Sequence, residues 1–353
     1  MSISVTINDV AEKAGVAIST VSNIINNKSN VSPKTRDKVL KVIDDLGYEV
    51  DPVASRMKKG NSKIIGMIIT NFNRIFYPPA IRCCREIAAS MGYVLLCAET
   101  NEDFEVEQQY VLQMQRNGFD GLILNTVATN DNQEYFHMLQ YLHCRDKHIP
   151  VVCIERNLAP QGLDSVDTDN YGGAVKATNH LIDLGCKAIL HIAGSANSWA
   201  AQKRMEGFCD AIKRHPEVTK IIHTGDFSPR SGYNVVRNSV INPDRLPFDG
   251  IFAANDQVAI GAMKALQERG VKIPEQVRVV GFDDSFAASL IEPSLSSIHV
   301  SSSGLGTEAI RVLIERMEGS TLPAQCRHIK TGLVIRHSTD RDIYVSKEYL
   351  DWW

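Results

Sequence analysis

Three stretches near the N-terminus, residues 6–15, 18–26 and 32–47, carry apolar residues at helical spacing. Gly15 and Gly47 end the first and third stretches, as expected where helices terminate. Two short helices joined by a glycine-containing turn and braced by a third are typical of a helix-turn-helix. The pattern therefore predicts an all-α head, although an ordinary three-helix bundle would show the same spacing.

The second stretch has two different sides. Its apolar stripe consists of Val21, Ile24 and Ile25. The other side carries short polar groups, which can lie in a major groove and exchange hydrogen bonds with base edges and phosphates. These groups are Ser19, Thr20, Ser22, Asn23 and Asn26. The polar surface of a bundle would look similar, so this stretch alone supports both interpretations equally.

A fourth helical segment, residues 51–60, has start and stop signals of its own. Asp51 can cap the segment, Pro52 fits its first position, and Gly60 can terminate it. At about two turns the helix is too short to be stable alone. We expect it to order only against a partner, such as DNA and a second copy of itself, which favours the DNA-binding interpretation of the head.

From Lys63 onward the chain alternates between predicted strands and helices. The first strand, residues 64–69, is continuously apolar, as expected for a parallel sheet covered on both faces. After residues 165–168 the alternation restarts. Two βαβ series predict two α/β lobes with parallel sheets, and ligands of such folds bind at the carboxyl ends of the strands.

Polar groups follow several of the predicted strands. Glu155, Asn255 and Asp283 each follow a strand, and Arg204 lies near the start of a helix, soon after Trp199. Arginine, carboxylate and amide groups beside an aromatic face suit the hydroxyl-rich surface of a sugar. Any one of them alone is more often a helix cap or an ion pair. Their repetition at equivalent strand ends favours a ligand site.

Charge is distributed unevenly along the 353 residues. Residues 1–63 hold ten Lys and Arg against seven Asp and Glu, whereas the rest of the chain holds 28 against 34. A basic head on an acidic body suits a protein that places only its head on a polyanion.

The sequence disfavours several other classes of protein. No apolar run approaches the roughly 20 residues of a membrane span, and the N-terminus lacks a signal-peptide pattern, so we expect a cytoplasmic protein. The eight cysteines show neither zinc-ligand nor disulfide spacing. Phosphate-binding, hydrolase and metalloprotease motifs are missing. We therefore expect no metal, no cofactor and no enzymatic activity.

A set of specific motifs runs through the head: Thr6 to Val16, Thr20-Val21-Ser22, Asn26, Val31-Ser32, Thr35-Arg36 and Leu46-Gly47-Tyr48. These motifs resemble the head of the LacI/GalR repressor family, and the resemblance extends to about residue 338. It implies a two-lobed, periplasmic-binding-protein-like core behind the head. It also implies base reading by Ile18, Ser19 and Asn23, phosphate contacts from Thr20, Ser22, Asn26, Ser32, Thr35 and Tyr48, and minor-groove contacts from Ala54 and Met57.

The same resemblance implies an effector site between the two lobes. Its residues would be Phe76, Tyr77, Asn125 and Glu155 from the first lobe, and Trp199, Arg204, Phe227, Asn255 and Asp283 from the second. Glu155 stands where the family usually has Asp, so the longer side chain should narrow the pocket or tilt the ligand.

Three departures from the family pattern concern DNA binding. Ala17 replaces a helix-capping Ser, which removes about 1 kcal/mol of helix stability. Asn23 stands where Arg is common; because Asn pairs with adenine and Arg with guanine, we predict a different half-site. Met57 replaces the hinge leucine and should wedge less rigidly into the minor groove.

The predicted organisation is a helix-turn-helix domain at 1–50, a hinge helix and linker at 51–62, a two-lobed effector-binding and dimerisation domain at 63–340, and a tail at 341–353. The N-lobe is expected at about 63–164 and 297–327, and the C-lobe at about 165–296 and 328–340.

These features predict a repressor of carbohydrate-utilisation genes. It would bind a palindromic operator as a homodimer under the control of a sugar-like effector. The alternatives are control by a protein co-repressor and, less favoured, a purine or other non-sugar effector. A periplasmic-type sugar-binding protein is opposed by the head and the missing signal peptide. An α/β enzyme with a DNA-binding head lacks catalytic motifs.

Overall fold

The computed structural model describes residues 5–25, 31–48 and 62–343. The chain divides into two compact units, residues 1–62 and 63–353. The predicted hinge helix, including Ala54 and Met57, lies outside the described residues, as do Asn26 and the end of the tail.

Three helices form the described part of the first unit: α1 Ile7–Ala14, α2 Ile18–Ile25 and α3 Pro33–Leu46. A capping box opens α1, since the side chains of Thr6 and Asp9 each accept a hydrogen bond from the other's backbone N–H. The three helices that the apolar spacing predicts are thus confirmed.

Glycines end α1 and α3 where the sequence predicts. Gly15 has a φ of 60° and Gly47 a φ of 59°, the left-handed conformation that a residue without Cβ adopts most easily. One small apolar core joins the three helices, and it contains Val10, Ala11, Ala14, Val21, Ile24 and Val39.

The described part of the second unit contains fourteen strands and nine α-helices. The strands are β1 Ile64–Ile69, β2 Val94–Glu99, β3 Gly121–Leu124, β4 His143–Cys144, β5 Lys147–His148, β6 Val151–Ile154, β7 Asp164–Thr168, β8 Ala188–Ala193, β9 Thr219–Thr224, β10 Gly250–Ala253, β11 Arg278–Asp283, β12 Ser296–Val300, β13 Cys326–Ile329 and β14 Thr331–Val334. The helices are α4 Tyr77–Ser90, α5 Phe104–Arg116, α6 Gln133–Gln140, α7 Asn170–Asp183, α8 Trp199–Lys213, α9 Pro229–Ser239, α10 Asp256–Glu268, α11 Phe286–Leu290 and α12 Ser302–Met317. No helix in the described ranges is both long and apolar enough to cross a bilayer.

Two six-stranded sheets arrange these elements into two lobes. The first sheet has the order β13-β7-β6-β3-β1-β2, with all neighbours parallel. The second has the order β14-β12-β11-β10-β8-β9, in which β14 runs antiparallel to β12. The strands β3, β6 and β10 are buried along their whole length, as expected where helices cover both faces. The predicted pair of α/β lobes is confirmed.

The chain crosses between the sheets after β7, after β12 and after β13. The sequence pattern places the first two crossings one strand earlier, near residues 164 and 297, and the third two residues earlier, at 327. The observed lobe boundaries differ from the predicted ones because β7 pairs with β6 in the first lobe and β12 pairs with β11 in the second. An apolar run shows that a strand is buried but not which distant strand it pairs with, so the boundaries shift.

His191 lies buried in the core of the second lobe. Its ring stacks on Phe252 at 4.7 Å and lies 4.9 Å from Phe208, and its Nδ1 donates to the Phe252 carbonyl at 2.9 Å. Burial lowers the pKa of His191 to about 4. The imidazole therefore stays neutral in the folded chain at a pH where the unfolded chain is protonated.

Acid should destabilise the fold through this histidine. Because the unfolded His191 binds a proton below pH 6.5 and the folded one only below about 4, the unfolding free energy falls as the pH drops through that window. The loss approaches about 3 kcal/mol at pH 4. Urea unfolding at several pH values should show this slope flattened in His191→Leu but kept in His223→Leu, a change at an exposed position. Equal slopes in both variants would contradict the prediction.

Candidate functional site

The exposed face of α2 carries the predicted base-reading residues. Val21 and Ile24 are buried on the inner face, which turns Ser19 and Asn23, four residues apart, toward the other side. Ile18 is 47% exposed, although it is a large apolar residue. An isoleucine left in water at the start of a polar helix face fits a contact with an apolar partner such as a thymine methyl group.

The described residues predicted to contact phosphates lie on α2 and at the two ends of α3. Ser32 caps α3, where its Oγ accepts from the backbone N–H of Thr35 at 3.2 Å and lies 2.8 Å from the Thr35 hydroxyl. A capped helix start of this kind is a favourable place for a phosphate. Thr20 and Ser22 are half-buried beside the exposed face, and Tyr48 packs partly on the head core.

A narrow cavity of about 20 Å³ lies between the lobes, enough for about one water molecule. It opens at the carboxyl ends of β1, β3 and β6, facing the start of α8. Its lining consists of Thr70, Arg74, Glu102, Asn125, Thr126, Val127, Ile154, Glu155, Arg156, Asn197, Ser198, Trp199 and Ala200.

Three of the predicted residues from the first lobe form one buried hydrogen-bonded group. The Tyr77 hydroxyl donates to Glu155 Oε2 at 2.5 Å, and the Asn125 amide donates to the Tyr77 hydroxyl at 2.8 Å and also to Glu155 Oε2. Burial raises the pKa of Tyr77 well above its usual range, so the phenol stays protonated. These contacts hold the carboxylate at the cavity wall.

The fourth predicted residue of the first lobe, Phe76, belongs mainly to the core. Its ring packs among buried apolar residues and meets the Tyr77 ring edge-on at 5.6 Å. Neither Phe76 nor Tyr77 is part of the cavity lining, and both lie in the core of the first lobe behind it.

In the second lobe, Arg204 and Asp283 form a buried ion pair, with Arg204 Nη2 3.4 Å from Asp283 Oδ1. Arg204 is 1% exposed. It also donates to Asn170 Oδ1 at 2.8 Å and to the Ala254 carbonyl, and its guanidinium covers the ring of Phe282 at 3.7 Å. The hydrogen bonds and the ion pair of Arg204 are therefore made with other groups of the protein.

Asn255 has a structural role that the sequence also allowed. Its Oδ1 caps α10 by accepting from Val258 N–H at 2.9 Å, while its amide donates to the Phe227 carbonyl at 3.2 Å. Phe227 is thereby fixed at the second-lobe side of the crevice, where its ring faces the Arg74 guanidinium at 4.3 Å.

Trp199 forms part of the cavity wall and is half-buried. Arg156 lies 5.1 Å from its ring centre and Lys203 4.7 Å. Both contacts are within the range of a cation–π attraction, and the contact with Arg156 joins the two lobes.

Two of the predicted carboxylates sit on strained backbone. Glu155 has a φ of 61° and Asp283 a φ of 100°, both in the left-handed region. Such conformations cost of order 1–3 kcal/mol each and cluster at functional sites.

The charges at the crevice balance in sign. Arg74 and Arg204 are cations, and Glu155 and Asp283 are their nearby carboxylates. The cavity lining adds one more charge of each sign, the buried Arg156 and the half-buried Glu102. Burial raises the pKa of Asp283 to about 6, so this carboxylate is still ionised at pH 7. Burial raises the pKa of Asp256 to about 8, so this carboxyl group is neutral at pH 7 and is not counted among the charges. At neutral pH the set has no net charge and suits a neutral ligand.

Sequence reasoning missed Arg74 among the site residues. It follows β1 by five residues, so the strand-end rule applied elsewhere could have flagged it. Its burial to 5% exposure, however, depends on packing against residues from both lobes.

Truncating Arg204 should destabilise the second unit. Arg204→Met leaves Asp283 buried without its cation, so we expect a loss of about 3–5 kcal/mol in the unfolding free energy. Urea unfolding followed by circular dichroism measures the loss. Arg214→Met, at the exposed residue that ends the same helix, is the control. Adding Asp283→Asn to Arg204→Met should recover part of the loss. If the double variant instead loses the sum of the two single losses, the result would count against the ion pair.

Comparisons with known proteins agree with this architecture. Residues 6–51 match the family described as bacterial regulatory proteins, lacI family, and residues 178–339 match a periplasmic binding protein-like domain. The ribose operon repressor of Halalkalibacterium halodurans is 33% identical over 334 residues, which cover 95% of this chain and 97% of that protein.

Two further relatives extend the comparison. The HTH-type transcriptional repressor PurR of Histophilus somni is 31% identical, over 94% of this chain and 98% of its own. The crystal structure of the lac repressor dimer bound to operator and the anti-inducer ONPF superposes with a TM-score of 0.77 at 25% identity, covering 96% of this chain and 99% of that one. These relatives are regulators rather than enzymes. The chain therefore belongs to the lacI family of bacterial regulatory proteins and is a DNA-binding transcriptional repressor.

Proposed function

We propose that this repressor controls carbohydrate-utilisation genes, binds a palindromic operator as a homodimer, and responds to a neutral, sugar-like effector held in the crevice between its lobes. The observation that carries the effector assignment is the charge-balanced set of buried polar groups beside the Phe227 ring. Sugars offer many hydroxyls and no charge, and their C–H faces pack on aromatic rings.

The DNA-binding half of the proposal rests on the exposed face of α2. Ile18, Ser19 and Asn23 would read bases, whereas Thr20, Ser22, Ser32, Thr35 and Tyr48 would contact phosphates. Asn26, Ala54 and Met57 are proposed on the family resemblance alone. Base contacts would set the operator sequence, and phosphate contacts would set the register of the head on the duplex.

The dimer is proposed from symmetry and from a relative. The lac repressor binds its operator as a dimer, and a two-fold protein matches a palindromic site. The effector would act by changing the placement of the two lobes, which couples ligand and DNA reciprocally by about 1–3 kcal/mol in typical systems.

Two alternatives concern the effector rather than the DNA. A purine is supported by the similarity to PurR, and a protein co-repressor would use an outer surface instead of the crevice. The absence of net charge among the four buried groups fits both a sugar and an uncharged purine. Hydroxyl-dependent binding would favour the sugar.

The recognition helix makes a prediction about the operator. Selection of duplexes from a random pool should enrich a palindrome with adenine opposite Asn23, and Asn23→Arg should move that preference to guanine. Thr35→Ala should weaken all duplexes to a similar degree, because a phosphate contact carries no sequence information. A wild-type selection without any palindrome would contradict the operator model.

The effector assignment predicts direct binding of a small sugar. Calorimetry on the full chain with D-ribose, D-glucose, guanine and hypoxanthine should show heat with at least one sugar, and that sugar should change operator affinity about 5- to 150-fold. If a purine base binds and neither sugar does, the purine alternative would replace the sugar as the proposed effector. Binding of none of the four would leave the protein co-repressor as the better proposal.

A further inference from the structure

Arg74 is buried in the crevice with its side chain held between two aromatic rings. Its guanidinium carbon lies 4.3 Å from the centre of the Phe227 ring and 5.0 Å from that of Tyr77. Phe227 belongs to the second lobe and Tyr77 to the first. Arg74 therefore occupies the position between the lobes where a ligand of this crevice would be enclosed.

The hydrogen-bonding capacity of Arg74 is largely unused. Nη1 donates to the Tyr77 hydroxyl at 3.2 Å, but Nε and Nη2 are buried without a hydrogen-bond partner. The nearest carboxylate oxygen to Nη2 is Glu155 Oε1 at 3.9 Å, which is beyond hydrogen-bond range. A buried donor that makes no hydrogen bond opposes folding, and in native proteins each such donor calls for an explanation such as a ligand.

The gap between Arg74 and Glu155 has the dimensions of a hydroxyl site. Two atoms 3.9 Å apart can both lie about 2.8 Å from a single oxygen placed about 2 Å to one side of the line that joins them. Both side-chain hydrogen bonds described for Glu155 end on Oε2, so Oε1 faces this gap. An atom there must accept from a cation and donate to a carboxylate, and a hydroxyl does both at once.

The segment that carries Arg74 is fastened to the second lobe on both sides. The backbone N–H of Ile75 donates to Gln257 Oε1 at 3.1 Å, and the Gln257 amide donates to the Asn73 carbonyl at 3.1 Å. Gln257 lies in the first turn of α10. A ligand bound to Arg74 would therefore act at the point where the two lobes are joined.

We infer that Arg74 is an effector-contacting, specificity-determining residue that, together with Glu155, holds one hydroxyl of a polyhydroxy ligand. The inference rests on the proposed function of the crevice as a sugar site and narrows it to ligands that place a hydroxyl in this gap. Room for the whole ligand requires the crevice to widen beyond its present 20 Å³. The Gln257 hydrogen bonds are among the contacts between the lobes that such widening would break.

The first test compares sugar binding by the full chain and by Arg74→Met, which keeps the length of the side chain but removes its donors. The probes are D-ribose and D-glucose in calorimetry. We expect Arg74→Met to weaken binding about 10- to 100-fold, the effect of one hydrogen bond to a charged group, and Arg74→Lys to recover only part of the loss. Arg85→Met is the matched control, because Arg85 pairs with Glu86 on the surface.

The second test separates contact from mere structural support. Monodeoxy analogues of the bound sugar should include one that the wild type binds much more weakly than the parent. Arg74→Met should bind that analogue and the parent equally, because the hydroxyl no longer has its donor. A structural clamp would instead lower binding of all analogues by the same factor and reduce the thermal stability of the ligand-free chain.

The outcomes distinguish the inference from the function on which it rests. Equal sugar affinity in wild type and Arg74→Met, or a uniform loss over all analogues with lower stability, would overturn the role of Arg74 and leave the sugar site intact. A wild-type chain that binds neither sugar would overturn the sugar assignment itself, and the inference with it.

Discussion

The compensation of buried charges within each lobe, at the crevice, is the constraint on which the crevice depends. Arg204 is almost fully buried, and Asp283, Asn170 and the Ala254 carbonyl satisfy its guanidinium. Neither charge of such a pair can be buried alone at reasonable cost. Arg74 and Glu155 form a second pair whose atoms stay 3.9 Å apart. All three guanidinium nitrogens of Arg204 make hydrogen bonds, whereas Nε and Nη2 of Arg74 make none.

Several crevice residues serve the fold and the site together. Asn255 caps α10 and at the same time holds the Phe227 loop, so its amide is part of the scaffold that places an aromatic ring at the crevice. Glu155 and Asp283 are buried and have backbone in the left-handed region. The structural and functional interpretations of such residues are therefore not exclusive, since a rigid scaffold is what places a ligand-binding group accurately.

The head depends on local rules to a greater degree. The Thr6–Asp9 capping box and the left-handed Gly15 involve residues close in sequence, so the helix bounds could be predicted from spacing and end signals. The exposed position of Ile18 could not, because it depends on how α2 packs against its neighbours. That exposure strengthens a base-reading assignment that the sequence supports only by resemblance.

The sequence by itself determined the helical head, the two α/β lobes, the family and most of the polar residues at the strand ends. It could do so because apolar periodicity and end signals act over a few residues. Only the tertiary structure decided which sheets β7 and β12 join and that Phe76 packs in the core. It also decided that Arg74 is buried with two donors that make no hydrogen bond. Those features arise from strand pairing and packing between residues far apart in the chain, and local sequence patterns do not specify such contacts.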